Sequence, residues 1–163
     1  MANISCWWMK TLLLSVLLIQ CSTYHFYRST VYKNCGSRFR IFSVEESGCK
    51  KPYGDCLLEP RKSGAIRITF SPDRYVRSVR TIFTADVGGI TYPFDLGSGC
   101  RSYNLTCPLL PGRKYYYVRS KRVDQMYPTG IANIQWMVME DKKFTSRELP
   151  HPDICIKFRT RIL

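Results

Sequence analysis

Alternation of apolar and polar residues constrains this chain more than any other feature of its sequence. The pattern is clearest over residues 79–87, where apolar or small side chains recur at every second position. Successive side chains of a strand point to opposite sides of a sheet, so this period of two predicts a half-buried strand. Gly88-Gly89 then predicts a tight hairpin turn. The other runs of strand type are residues 38–41, where Phe42 breaks the alternation, and residues 66–70, 90–94, 115–118, 134–138 and 154–162.

These runs predict an all-β fold. About seven strands, separated by Gly, Pro and Asp, are typical of an immunoglobulin-like sandwich of two antiparallel sheets. No segment after the first 23 residues shows a helical stripe of apolar side chains. The alternation places apolar side chains between the sheets and much of the positive charge outside. Lys157, Arg159 and Arg161 would share one outward face.

Residues 1–23 predict a secretory signal peptide. Lys10 is the only charged residue in this segment, an apolar run covers residues 12–19, and small or polar residues follow. A membrane anchor is the alternative, but the run is far shorter than the ~18 apolar residues that a spanning helix needs. We therefore expect a single domain over residues 24–163 in a secreted protein, with the lysosomal lumen as another destination.

The cysteines predict a disulfide framework. Two of the eight, Cys6 and Cys21, lie in or beside the expected signal peptide. The remaining six are an even number in an exported domain, and their spacing does not fit the C-x2–4-C pattern of a zinc site. Six cysteines allow 15 connectivities, and spacing alone suggests two local pairs and one pair closing the ends. The six are Cys35, Cys49, Cys56, Cys100, Cys107 and Cys155.

Positive charge and a sequon suggest features of the surface. The chain has 25 Lys and Arg against 12 Asp and Glu, a net charge of +13. This balance favours acidic partners such as anionic lipids or a membrane surface, although a basic surface that only aids solubility is equally consistent with it. Asn104-Leu105-Thr106 is an N-glycosylation acceptor between two cysteines.

No catalytic constellation is evident. A secreted ribonuclease would need two histidines as acid and base, but His25 lies near the expected mature start and His151 lies between two prolines. The adjacent acids at residues 45–46 and 140–141 would point to opposite faces of a strand, so we interpret them as solubilising residues at strand ends. We expect no enzymatic activity, no metal and no cofactor.

Nucleic acid is not an expected partner either. Arg113 and Lys114 precede three tyrosines, and basic residues interleaved with aromatic rings can stack on bases. Such a tyrosine run is more commonly part of a core.

A set of short motifs runs along the chain in register with the six cysteines. The motifs are Tyr32-Lys33-Asn34-Cys35-Gly36-Ser37, Tyr92-Pro93-Phe94, Gly99-Cys100, Cys107-Pro108, Tyr115 with Tyr117, Val123, Tyr127-Pro128, Trp136 and Glu140-Asp141. Together with the cysteines, they resemble the lipid-recognition (ML) domain family, whose members include the secreted Niemann-Pick type C sterol carrier, the mite group 2 allergens and a lipopolysaccharide co-receptor. The likeness runs from about Tyr32 to the C-terminus.

The resemblance implies a sandwich whose sheets splay apart to hold a lipid. It implies the pairs Cys35–Cys155, Cys49–Cys56 and Cys100–Cys107. It also implies a lipid site at the mouth of the cavity, with the residues Phe94, Val123, Tyr127, Pro128, Tyr92 and Trp136. The cysteine loops are longer than in the sterol carrier, and Asp95 follows Phe94, so the ligand is left open.

We therefore expect a monomeric lipid-binding or lipid-transfer protein that holds a sterol, a fatty acid or another lipid. The first alternative is recognition of an anionic microbial lipid in innate defence. The second, from another class, is a cationic effector that binds proteins or glycans and has an empty core.

Overall fold

The computed structural model of the chain describes residues 27–48, 50, 55–101, 105–141 and 151–163. The expected signal peptide, His25, Cys49 and Asn104 lie outside these residues. Within the described part, no helix is long and apolar enough to cross a bilayer, and a three-residue 3₁₀ turn covers Gly99–Arg101. The strands are β1 (Arg28–Ser29), β2 (Lys33–Asn34), β3 (Arg40–Ser47), β4 (Cys56–Leu58), β5 (Ser63–Ser71), β6 (Val79–Val87), β7 (Ile90–Ser98), β8 (Tyr115–Arg122), β9 (Gly130–Glu140) and β10 (Ile154–Ile162).

The strands form two sheets that face each other. The first sheet has the order β1-β3-β5-β8, and the second has the order β2-β10-β9-β6-β7, with the short strand β4 parallel to β10. The other pairings are antiparallel. The expected all-β sandwich is therefore confirmed. Strands β8 and β7 form an edge of their respective sheets, a position that matters for the site described below.

The longer strands follow the predicted alternation. In β6 every second residue is buried, from Val79 to Val87. Gly88 and Gly89 both have positive φ, as the predicted hairpin turn requires. At Phe42, where the alternation breaks, the pairing of β3 with β5 shifts register. The two-residue and three-residue strands were not predicted, because such short runs have no measurable period.

The predicted role of the acidic pair in β3 was wrong for one of its members. Glu45 is partly exposed and pairs with Arg67 on β5. Glu46 instead points between the sheets, where it is buried and accepts a hydrogen bond from the Thr30 hydroxyl. A half-buried strand gives its neighbours opposite environments, so one of two adjacent acids has to face inward.

One end of the sandwich is tightly filled. Phe39, Phe70 and Tyr115 form a continuous stack, with ring centroids 5.8 and 6.0 Å apart. Phe70 is completely buried. The core of this end is completed by Ile68, Val76, Val79, Leu105, Leu109, Tyr117, Val138, Ile154 and Ile156.

An ion-pair cluster lies beside this filled end. Arg74 donates to Glu140 and to Asp153, both at 2.8 Å, and its guanidinium lies 5.9 Å from the centre of the Phe39 ring. Burial raises the pKa of Asp153, although the charge of Arg74 opposes that rise. The Asp153 carbonyl accepts hydrogen bonds from the backbone N–H groups of Arg38 and Phe39, which fixes the start of β3 against the start of β10.

One long-range and one local disulfide lie at the same end. Cys35 is bonded to Cys155, 120 residues away, and Cys100 is bonded to Cys107. Cys56 is also in a disulfide, and its expected partner lies outside the described residues. The Cys35–Cys155 bond ties the short strand β2 to β10, where only two residue pairs hold β2 to the sheet.

We expect the two described disulfides to differ in their contribution to stability. In the chain-entropy model, a bridge that closes about 120 residues contributes somewhat above ~4.7 kcal/mol, and one that closes about eight contributes roughly 2.5 kcal/mol. Replacing Cys35 and Cys155 together with alanine should therefore lower the free energy of unfolding about twice as much as replacing Cys100 and Cys107. Guanidinium unfolding of both double variants measures this. Equal losses would show that chain closure is not what the long-range bridge supplies.

Candidate functional site

The other end of the sandwich is hollow. A cavity of about 120 Å³ lies between the sheets, far larger than the ~10–15 Å³ that one water molecule needs. The change from filled to hollow follows the inward residues of each strand. Along β5 the inward side chains change from Phe70 and Ile68 to Ile66 and Gly64, and along β6 they change from Phe83 to Ala85 and Val87. Smaller side chains on facing strands leave the space open.

The wall of the cavity is largely apolar. Both sheets contribute, together with the loop that joins β8 to β9. Apolar walls favour an apolar ligand, because burial removes its surface from water without leaving a polar group unsatisfied. The apolar wall residues are Leu58, Ala65, Ile66, Phe83, Ala85, Val87, Tyr92, Phe94, Val123, Pro128, Ile134, Trp136, Phe158 and Ile162.

A series of aromatic rings leads from the mouth to the floor of the cavity. Tyr127 meets Phe94 edge to face, with ring centroids 5.7 Å apart. Phe94 stacks on Phe83 at 4.5 Å, and Phe83 stacks on Trp136 at 5.0 Å. The Trp136 ring meets the Tyr117 ring edge to face at the floor of the cavity, with centroids 6.5 Å apart. The ring series joins strands of both sheets to the β8–β9 loop.

Tyr117 provides a rigid floor. Its hydroxyl forms a 2.7 Å hydrogen bond with the Thr81 hydroxyl, which links the two sheets. Burial raises the pKa of Tyr117 to about 12, so this residue is neutral at physiological pH. Gly99 lies beside this contact, and a Cβ atom there would be 2.8 Å from a Val79 methyl and 3.4 Å from the Tyr117 ring. The floor is therefore closely packed, in contrast to the cavity above it.

The mouth lies where the β8–β9 loop meets the edge of β7. Pro128, Lys121 and Arg122 line the cavity and are exposed, whereas Val123 lines it and is buried. Backbone hydrogen bonds between Val123 and residues 61 and 62 hold this loop to the β4–β5 turn. The loop is thus anchored at Val123, while Tyr127 and Pro128 lie nearer to solvent.

All six residues expected at a lipid site line this one cavity: Phe94, Val123, Tyr127, Pro128, Tyr92 and Trp136. They come from β7, β9 and the β8–β9 loop, so their proximity is a product of the fold. Whether they bind a ligand stays a prediction. His151 is exposed and is not part of the wall. Among the described residues no group of three or more His, Cys, Asp or Glu side chains could hold a metal ion.

Sequence reasoning missed the charged residues of the wall. Arg119 and Lys121 occupy inward positions of β8, and Glu46 occupies an inward position of β3. The predicted strand ended at Val118, but β8 continues to Arg122. The missed signal is the alternation itself, because Tyr115 and Tyr117 are followed at the same spacing by Arg119 and Lys121.

The basic row of β10 lies elsewhere. Lys157, Arg159 and Arg161 are exposed and share the outer face of the second sheet, as predicted, and none of them lines the cavity. Arg159 pairs with Asp55 at 3.0 Å. Lys157 lies directly opposite Lys33 on β2, and like charges at directly opposite positions repel each other.

Known proteins share this sequence pattern and this fold. Residues 29–162 match the family model described as the ML domain. NPC intracellular cholesterol transporter 2 of Bos taurus is 27% identical over 137 residues, which cover 82% of this chain and 90% of that protein. The Danio rerio protein of the same name is 26% identical over 153 residues, which cover 92% and 96%. The ecdysteroid-regulated 16 kDa protein of Manduca sexta is 28% identical over 115 residues, which cover 69% and 79%.

Two solved structures have a similar fold. A Niemann-Pick type C2 protein from the Japanese carpenter ant superposes with a TM-score of 0.68 at 20% identity, covering 82% of this chain and 99% of that one. Chicken MD-1, crystallised with lipid IVa, superposes with a TM-score of 0.50 at 14% identity, covering 80% and 86%. At these identities the likeness shows a shared fold.

A small-to-large substitution tests whether the cavity is empty space. Ala85 lines the cavity, whereas Ala132 on β9 is completely buried and does not line it. Overpacking a filled core typically costs about 1–3 kcal/mol. We therefore expect Ala132→Leu to lower the free energy of unfolding by that amount, and Ala85→Leu to lower it by less than about 1 kcal/mol. Urea unfolding measures both. Equal losses would show that the space beside Ala85 is not available to a side chain.

Proposed function

The chain belongs to the ML domain family, and on that premise we propose that it binds one lipid in the cavity between its sheets and carries it through water. It is a lipid-binding protein and not an enzyme. The observation that carries the proposal is the cavity itself, an apolar space with an aromatic mouth at one end of an otherwise filled sandwich. A sterol or a fatty acid is the ligand that we favour. The name of the Bos taurus relative, a cholesterol transporter, supports the sterol.

The energetics suit a carrier with loose specificity. Burying several hundred Å² of lipid surface contributes on the order of 10 kcal/mol gross, at roughly 25 cal/mol per Å². Lost translational and rotational freedom cancels much of this. Few polar contacts are then required, so the shape of the cavity selects the ligand.

Entry of a whole lipid requires the cavity to widen. Its volume of about 120 Å³ is below the ~300–1,000 Å³ of typical small-molecule sites. Phe94 and Tyr127 are half-buried at the mouth and touch each other edge to face. We propose that these two rings move apart to widen the cavity, because the floor formed by Tyr117 and Thr81 is fixed by a buried hydrogen bond.

The compartment and state of the protein form part of the same proposal. Disulfides persist in oxidising environments, and the two described bridges support a secreted protein or one of the lysosomal lumen. We propose a monomer, since one chain encloses the whole cavity. Glycosylation at Asn104 and removal of residues 1–23 stay predictions.

A second candidate is recognition of an anionic microbial lipid in innate defence. Two observations favour it: the net charge of +13, and the fold shared with chicken MD-1, whose structure contains lipid IVa. The basic row of β10 supplies a surface for such a lipid outside the cavity. The third alternative is a cationic effector that binds proteins or glycans through its basic surface and leaves the cavity empty.

The mouth residues should matter for binding and much less for folding. Phe70→Ala removes a fully buried ring and should cost about 3–5 kcal/mol of unfolding free energy. Phe94→Ala and Tyr127→Ala remove half-buried rings beside a cavity, so we expect less than about half of that cost. In a displacement assay, the affinity of these two variants for a fluorescent sterol or fatty acid should be at least tenfold lower than that of the wild-type protein. This loss is on the order of 1.4 kcal/mol.

Phe70→Ala is the control, and it should lower stability while the folded fraction keeps its affinity for lipid. Thermal unfolding and ligand displacement are measured on the same samples. If Phe94→Ala and Tyr127→Ala destabilise as much as Phe70→Ala and leave binding unchanged, the two rings are ordinary core residues and the carrier proposal loses its site.

The dependence of binding on salt concentration tests the second candidate, recognition of an anionic microbial lipid. Exposed charges are screened beyond about 8–10 Å at physiological ionic strength, so binding to lipopolysaccharide through the β10 row should weaken as salt rises. The triple variant in which Lys157, Arg159 and Arg161 are replaced by Gln should lose this dependence. Sedimentation with lipopolysaccharide at low and high salt measures it. Binding that does not change with salt or with the variant would remove the basic row from any lipid-binding role.

A further inference from the structure

Cations occupy inward positions at the hollow end of β8. Tyr115 and Tyr117 fill the inward positions at the packed end, and Arg119 and Lys121 continue the same alternation into the cavity. Arg119 is half-buried and Lys121 is exposed at the mouth. A half-buried cation facing an apolar cavity loses part of its hydration, which is unfavourable unless a negative group compensates for it. A neutral apolar lipid would offer these two cations no ionic partner.

The present contacts of these cations do not supply that negative group. The Arg119 guanidinium donates to the Leu96 carbonyl on β7. The Lys121 ammonium lies 5.6 Å from the centre of the Phe94 ring. Within the described part of the chain, Arg119, Lys121 and Arg122 form no ion pair with a carboxylate. The positive charge at the mouth is therefore held by a carbonyl dipole and an aromatic face.

One carboxylate also lines the cavity, and its position makes the charge uneven. Glu46 lies on β3, and its register partner Ile66 on β5 separates it from Arg119 on β8. Two strand spacings of about 4.8 Å lie between Glu46 and Arg119. Glu46 accepts a hydrogen bond from Thr30 at its own side of the sheet. The wall thus has three cations on β8 and one carboxylate two strands away on β3.

We infer that the cavity selects an amphiphile with an anionic head group, which Lys121 and Arg122 hold at the mouth while the tail lies between the sheets. This inference rests on the proposed lipid-binding function and narrows its ligand class. Lys121 is exposed at the mouth, and its ammonium already lies over the Phe94 ring. Charge-assisted hydrogen bonds to a carboxylate or phosphate would replace the weaker cation–π contact. The tail would then contact Phe83, Ala85 and Ile134.

The experiment compares ligands that share a tail and differ in the head group. Dissociation constants are measured for oleate, oleyl alcohol, 1-oleoyl lysophosphatidate and cholesterol by displacement of a fluorescent lipid. The wild-type protein should bind oleate about tenfold more tightly than oleyl alcohol, as a charge-assisted contact implies. A further gain for lysophosphatidate over oleate would identify phosphate as the preferred head group, and the reverse order would identify carboxylate.

Lys121→Met keeps the length of the side chain and removes its charge. We expect it to weaken oleate about three- to tenfold and to leave oleyl alcohol within about twofold. Lys114→Met is the matched control, because Lys114 is also exposed and makes a similar cation–π contact, 4.7 Å from the centre of the Phe42 ring, but does not line the cavity. Its affinities should be those of the wild-type protein. If Lys121→Met does not fold, Lys121→Gln serves the same comparison.

The outcomes separate this inference from the proposal beneath it. Equal affinities of the wild-type protein for oleate and oleyl alcohol, or equal effects of Lys121→Met on both, would overturn the inference while lipid binding stands. Absence of binding for all four ligands, cholesterol included, would overturn the proposed lipid-binding function itself. Tight cholesterol binding that Lys121→Met strengthens would also reject the anionic selection, since it would show that the cation only disfavours a neutral ligand.

Discussion

The packing of one end of the sandwich supports everything else in this structure. The stacked rings of Phe39, Phe70 and Tyr115 fill the space between the sheets. The long-range disulfide and the Arg74 ion pairs lie at the same end. A hollow end does not hold two sheets together, because an empty space offers its walls no dispersion contacts. The filled end therefore supplies the cohesion that allows the other end to remain open.

The sequence predicted the sandwich because each long strand has a clear period of two. The boundaries of β6 and β10 and the Gly88-Gly89 turn were all correct, since one buried face fixes the register of a strand. The pairs Cys35–Cys155 and Cys100–Cys107, implied by family resemblance, are present in the structure. Strands of two or three residues were not predictable, because they depend on partners that are distant in sequence.

The cavity was less accessible to sequence reasoning than the fold. Its volume depends on the combined size of side chains from facing strands, and no single strand reveals that sum. The family resemblance led to Phe94 and Tyr127, whereas composition alone would have placed both in the core. Arg119 and Lys121 were missed for a different reason. Positive residues on a strand are normally assigned to its wet face, and only the register with Tyr115 and Tyr117 shows that these two point inward.

The division of single strands between a filled end and a hollow end has a consequence for how such a protein changes over evolutionary time. In β6, Val79 and Thr81 belong to the filled end, while Ala85 and Val87, a few residues further on, face the cavity. Substitutions at the first pair are constrained by folding, and substitutions at the second pair are constrained mainly by the ligand. Substitutions at cavity positions can therefore change which ligand the domain binds, without requiring substitutions that unfold it. Among related domains, ligand specificity would then change faster than the fold.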